Sequence, residues 1–166
     1  MATVIAKLGD DISTDVIYPG RYMATVLPTE TPQFAFADSA ELNGRLKSKQ
    51  VPPGSVIAAG KNFGCGSSRE QACSCLKGYE LTIVARGFAR IFLQNSINLG
   101  LNLVTAPDFE ASEGDELEIA ADKVVNKTTG KSFAAVPLPK ARQAIIDAGG
   151  LIAYTRQRVM EAAGKA

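Results

Sequence analysis

Apolar residues along the chain gather in short blocks separated by turn formers. Residues 3–8 are apolar and partly β-branched and run into Gly9-Asp10-Asp11, the pattern of a strand that ends in a turn. Val56-Ile57-Ala58-Ala59, Leu81-Thr82-Ile83-Val84-Ala85 and Leu101-Asn102-Leu103-Val104 are further runs of strand length. Between them the pattern predicts a helix over 67–77, with Gly78 as its C-terminal cap, and another over 88–95. After Pro107, strands are predicted at 116–120, 123–126 and 132–136, joined by Asp, Asn and Gly turns, followed by helices over 139–148 and 151–163 broken at Gly149-Gly150. Five prolines between positions 18 and 55 leave that stretch as loop with one helix over 39–49. The expected fold class is α/β: helices on a mixed sheet plus a small β-meander, one domain over 1–166.

Composition narrows the partners. With 46% hydrophobic and 21% charged residues the chain reads as an ordinary globular protein. Its 18 basic residues against 17 acidic leave no broad positive footprint for nucleic acid. No stretch approaches the ~20 apolar residues of a membrane span, and the start lacks signal-peptide character, so no nucleic acid, no membrane and a cytoplasmic location are expected. There is no histidine, which excludes Ser-His-Asp and Cys-His catalysis within the chain. The three cysteines, Cys65, Cys73 and Cys75, are odd in number and read as reduced thiols.

Chemistry concentrates in Gly64-Cys65-Gly66-Ser67-Ser68-Arg69-Glu70. Glycines such as Gly64 and Gly66 permit close backbone approach, and a helix starting here aims amide donors at an anion, so a carboxylate or phosphate is the expected ligand. Ser67 and Glu70 also carry the spacing of a helix capping box, and on spacing alone that structural role stands level with a catalytic one. In the catalytic reading Ser67 is a base or hydrogen-bonding group beside Arg69, whose guanidinium can grip a carboxylate. A P-loop fails because Ser67 stands where its lysine belongs, and the dinucleotide fingerprint fails because position 69 is not glycine. Cys73 and Cys75, about 200° apart on a helix, suit packing better than cluster ligation, so no metal is assigned to this chain. Asp15 and Arg21 flank the Pro19-Gly20 turn and present a carboxylate and a guanidinium in one loop.

Three ordered blocks, 9–22 with Ser13-Thr14-Asp15 and Gly20-Arg21-Tyr22, 60–70, and Ala85-Arg86-Gly87-Phe88-Ala89-Arg90-Ile91-Phe92, closely resemble the small subunit of the isopropylmalate isomerase and homoaconitase family. The resemblance implies a swivelling β/β/α domain and a separate large subunit that carries a four-iron iron-sulfur cluster, with no cofactor on this chain. It implies that Ser67 removes the proton alpha to a carboxylate of a small hydroxy acid, that Ser68 and Arg69 hold carboxylate oxygens, and that Asp15 supports the site. In such enzymes the loop after the Arg-Tyr pair looks to set substrate choice. Here Arg21, Ala24 and Thr25 fall in or beside it, and the uncharged Ala24 favours an alkylmalate such as 3-isopropylmalate over homoaconitate. Dimethylmalate and citramalate-type substrates, and a non-catalytic carboxylate-binding module, stay open. Gln71 stands where the family commonly has histidine.

Overall fold

The computed structural model describes residues 1–48 and 50–164. Strands β1 (Ala2–Lys7), β2 (Val56–Ala59), β3 (Thr82–Ala85) and β4 (Asn102–Thr105) run parallel, while β5 (Glu116–Ile119), β6 (Lys123–Asn126) and β7 (Ser132–Ala134) form an antiparallel meander on the other side of β1. The sheet order is β4-β3-β2-β1-β5-β6-β7. Its two ends meet: the Val136 amide donates to the Thr105 carbonyl at 2.8 Å, so the sheet curls on itself.

Curling explains why the central strands are apolar throughout. Successive side chains point to opposite faces, and both faces are covered. On one side Ile5, Ile57 and Ile83 meet α3 (Gln71–Gly78) and α4 (Arg90–Leu99) through Cys73, Leu76 and Phe92. On the other, Val4, Val56 and Val84 meet Leu117, Val124 and Phe109 inside the curl. Each fully buried side chain of this size contributes about 1.5–3 kcal/mol, which outweighs the weak local preference of four-residue strands.

The polar stretch before β2 holds the short helix α1 (Thr14–Ile17), two 3₁₀ turns and α2 (Ala40–Lys47). Asp15, read from sequence as lying on irregular chain, is in the first turn of α1, which Ser13 caps through its hydroxyl. Ser39 caps α2, and position 49, the expected end of that helix, lies outside the described residues. The C-terminal helices are α5 (Lys140–Asp147) and α6 (Leu151–Ala163).

Three expectations are corrected. The helix after the glycine loop begins at Gln71, not Ser67, because the chain stays non-helical through Arg69. Gly78 is the last helical residue and not a left-handed cap; a side chain there would strike Pro32, and the left-handed residue is Glu80 at φ 53°. The next helix starts at Arg90 rather than 88 and ends in a left-handed Gly100.

Candidate active site

The loop that follows β2 is built by pairing with the chain that follows β1. The Gly64 amide donates to the Ile12 carbonyl at 2.7 Å and the Thr14 amide to the Cys65 carbonyl at 2.7 Å. Gly64 has φ 82°, and a Cβ on it would enter the Phe92 ring, so glycine is required both by backbone and by packing. Gly66, at φ 97°, then turns the chain so that Ser67 stands over α1.

Ser67 caps no helix. Its amide donates to Thr14 Oγ1 at 3.1 Å, and its hydroxyl lies 3.3 Å from that same oxygen and 2.6 Å from Arg69 Nε. The capping-box reading therefore fails, since Ser67 Oγ is committed to Thr14 and Arg69 and the cap position, Glu70, makes no side-chain cap bond. Arg69 is the organising group. Nη1 donates to Asp15 Oδ1 at 2.7 Å and to the Tyr18 carbonyl at 2.9 Å, and only 8% of its side chain is exposed. Asp15 Oδ1 also accepts the Gly20 amide at 3.2 Å. One planar cation thus fixes α1, the Pro19-Gly20 turn and the Ser67 hydroxyl relative to one another.

This arrangement has a chemical consequence. When Ser67 Oγ is deprotonated, only Thr14 can be the donor in their contact, so the alkoxide would accept from Thr14 Oγ1 and from Arg69 Nε together. Two fixed donors, one of them cationic, aimed at one oxygen lower the free energy of its charged form. The Ser68 carbonyl is held by Asn95 Nδ2 at 3.0 Å. The backbone amides of residues 68–70 donate to no group among the described residues, leaving donors beside Ser67.

The remaining expected site residues divide. Arg21 does not join Ser67; it pairs with Asp38 and stacks over the Tyr22 ring at 4.7 Å, and that carboxylate raises the pKa of its guanidinium. Ala24 and Thr25 lie in the loop after the Gly20–Tyr22 turn, with Ala24 exposed and the Thr25 carbonyl 3.3 Å from the Tyr18 hydroxyl. Thr14, Tyr18 and Asn95 were missed as site residues, and Gln71 was noted only as standing where the family commonly has histidine. Thr14 carried the one usable signal: a hydroxyl next to Asp15 in a Ser-Thr-Asp run.

The cysteines do not make a ligand set. Cys73 and Cys75 are fully buried, and burial pushes the Cys73 thiol up to about 12 and that of Cys75 well above its ordinary value. Both serve packing, as their helical spacing suggests. Cys65 is half-buried and its thiol faces the Asp11 carbonyl at 3.4 Å.

The family model for the aconitase C-terminal domain matches residues 11–108, a span that contains every residue of the site just described. The chain belongs to the aconitase C-terminal domain family. Among members, the 3-isopropylmalate dehydratase small subunit of Methanosarcina mazei is 41% identical over 163 residues, covering 93% of this chain and 96% of that one. The isopropylmalate/citramalate isomerase small subunit of Methanocaldococcus jannaschii is 40% identical and covers 93% of each. The crystal structure of 3-isopropylmalate dehydratase from Methanocaldococcus jannaschii superimposes with a TM-score of 0.87 at 36% identity, over 99% of this chain and 98% of that one. The aconitase-type fold expected from the sequence blocks is thus the fold observed.

Proposed function

We propose that this chain is the small subunit of a heteromeric hydro-lyase that isomerises an alkyl-substituted malate, converting between 3-isopropylmalate and 2-isopropylmalate by dehydration and rehydration, with Ser67 as the base. The observation that carries the reading is Ser67 Oγ held by Arg69 Nε and facing Thr14 Oγ1. The proton alpha to a substrate carboxylate passes to Ser67 Oγ, the electron pair of that C–H bond forms the C=C bond, and the C–O bond to the hydroxyl breaks. Ser67 then returns the proton as water adds to the other carbon. A four-iron cluster on the large subunit supplies, when bound, the Lewis acid for the departing hydroxyl. This chain's own cysteines do not fit such a group, two being buried and protonated.

Arg69 Nε and Nη1 are committed to Ser67, Asp15 and the Tyr18 carbonyl, so its contribution to a substrate carboxylate comes from Nη2, with the amides of residues 68–70 completing the grip. Substrate class is read from the 22–29 segment, which contains no charged side chain. A third carboxylate would find no partner there, whereas Met23, Val26 and Leu27 offer exposed apolar surface to an alkyl group. That the relatives named above include an isopropylmalate/citramalate isomerase subunit agrees with this choice. The test is anaerobic reconstitution with the cluster-bearing large subunit and assay by unsaturated-acid absorbance. Turnover of 3-isopropylmalate exceeding that of homoaconitate is expected, and absence of turnover on every alkylmalate refutes the reading.

A further inference from the structure

The 22–25 loop is held in place from two directions. From its own side, the buried Tyr18 hydroxyl lies 3.1 Å from the Tyr22 carbonyl and 3.3 Å from the Thr25 carbonyl, and the Tyr22 ring stacks on Phe34 with centroids 4.1 Å apart. From the Ser67 side there is a single direct tie among the described residues: Gln71 Nε2 donates to the Met23 carbonyl at 3.1 Å. Gln71 is the first residue of α3, whose Ala72, Cys73, Cys75 and Leu76 are buried, so its position relative to Ser67 is set by the core. The loop has no rigid element of its own beyond the preceding 3₁₀ turn at Gly20–Tyr22.

We infer that Gln71 is a positioning residue for substrate choice: by holding the Met23 carbonyl it sets where the uncharged 23–27 side chains stand relative to α3 and the Ser67 loop, and so which alkyl group is accepted. The inference rests on the alkylmalate reading above. It also assigns a task to the position after Glu70 that needs only an N–H donor and no titrating proton. An amide and an imidazole both satisfy that requirement, and a carboxylate does not.

Three variants of the reconstituted complex separate this from alternatives: Gln71→Met, which keeps length and apolar volume but removes the donor; Gln71→Glu, which at neutral pH sets an acceptor against the Met23 carbonyl; and Gln71→His, which keeps a donor. For the Met and Glu variants KM for 3-isopropylmalate should rise about 5-fold, the scale of one lost hydrogen bond, with kcat within about 2-fold and the preference for 3-isopropylmalate over citramalate reduced. The His variant should match the parent in KM and in the shape of its pH profile. Unchanged KM in Gln71→Met, or a fall in kcat with an altered pH profile, overturns the inference. If the parent complex turns over no alkylmalate, the substrate reading fails separately. Loop positioning is then read by hydrogen exchange on the isolated chain, where Gln71→Met should speed exchange across 23–27 and unchanged exchange refutes the tie.

Discussion

Arg69 Nε lies 2.6 Å from Ser67 Oγ while Nη1 of the same guanidinium lies 2.7 Å from Asp15 Oδ1, so one side chain both polarises the proposed base and anchors the helix beneath it. A lysine replaces the planar fork with one compact ammonium on a flexible stem, which loses the fixed two-point geometry. Arg69→Lys should therefore lower kcat about 100-fold, the scale of removing one fixed donor from a developing anion. Steady-state assay of the reconstituted complex checks this; kcat within a few-fold of the parent would place the polarising charge elsewhere.

Thr14 is 1% exposed and its hydroxyl meets both the amide and the hydroxyl of Ser67. Thr14→Val keeps the shape and strips both contacts, leaving the Ser67 amide without its partner. Stability should fall by about 1–2 kcal/mol, measured by urea unfolding, and turnover should fall with it. Valine with parent-like stability and turnover would show that Thr14 is idle.

Gly64 combines φ 82° with a Phe92 ring occupying the space of a Cβ. Gly64→Ala should destabilise by about 1–3 kcal/mol, which for a chain of this length lowers Tm by roughly 2–12 °C. Calorimetry gives the answer, and an unchanged Tm would mean that the loop and Phe92 separate freely.

The cysteine environment yields a pH prediction. The folded-state pKa of Cys73 is raised by burial to about 12 from the 9.0 of an exposed thiol. The folded protein therefore binds more protons than the unfolded chain above pH 9, so this stability is fully present below about pH 9 and is lost as pH rises towards 12. Unfolding by urea at pH 8 and pH 10.5 should show the loss, smaller in Cys73→Ala. At pH 8 a thiol reagent should modify Cys65 well before Cys73 or Cys75, which are buried; equal rates for all three would contradict the packing.

Much of the sheet was legible because its strands are buried on both faces and so appear as unbroken apolar runs, as in Val56–Ala59 and Thr82–Ala85. The meander and the two final helices followed from turn residues and periodicity. The site was legible in composition but not in wiring. Asp15 and Arg69 are 54 positions apart, and it is the parallel pairing of β1 with β2 that brings the chain after β1 against the chain after β2. Ser67 and Glu70 looked like a capping box because that spacing is local, yet Gly66 at φ 97° and the long-range bond to Thr14 draw Ser67 out of the helix. Asn95 gave no sequence signal and Gln71 only its place where the family commonly has histidine, since each acts on a backbone carbonyl that any residue supplies.

Ser67 is proposed as the base and not as a structural residue. Its most direct measurement is kcat for Ser67→Ala in complex with the large subunit, alongside Tm and subunit affinity. Loss of the base should lower kcat by about 10²- to 10⁴-fold with Tm and subunit affinity close to the parent's. A Ser67→Ala complex that turns over 3-isopropylmalate at near the parent rate would contradict it.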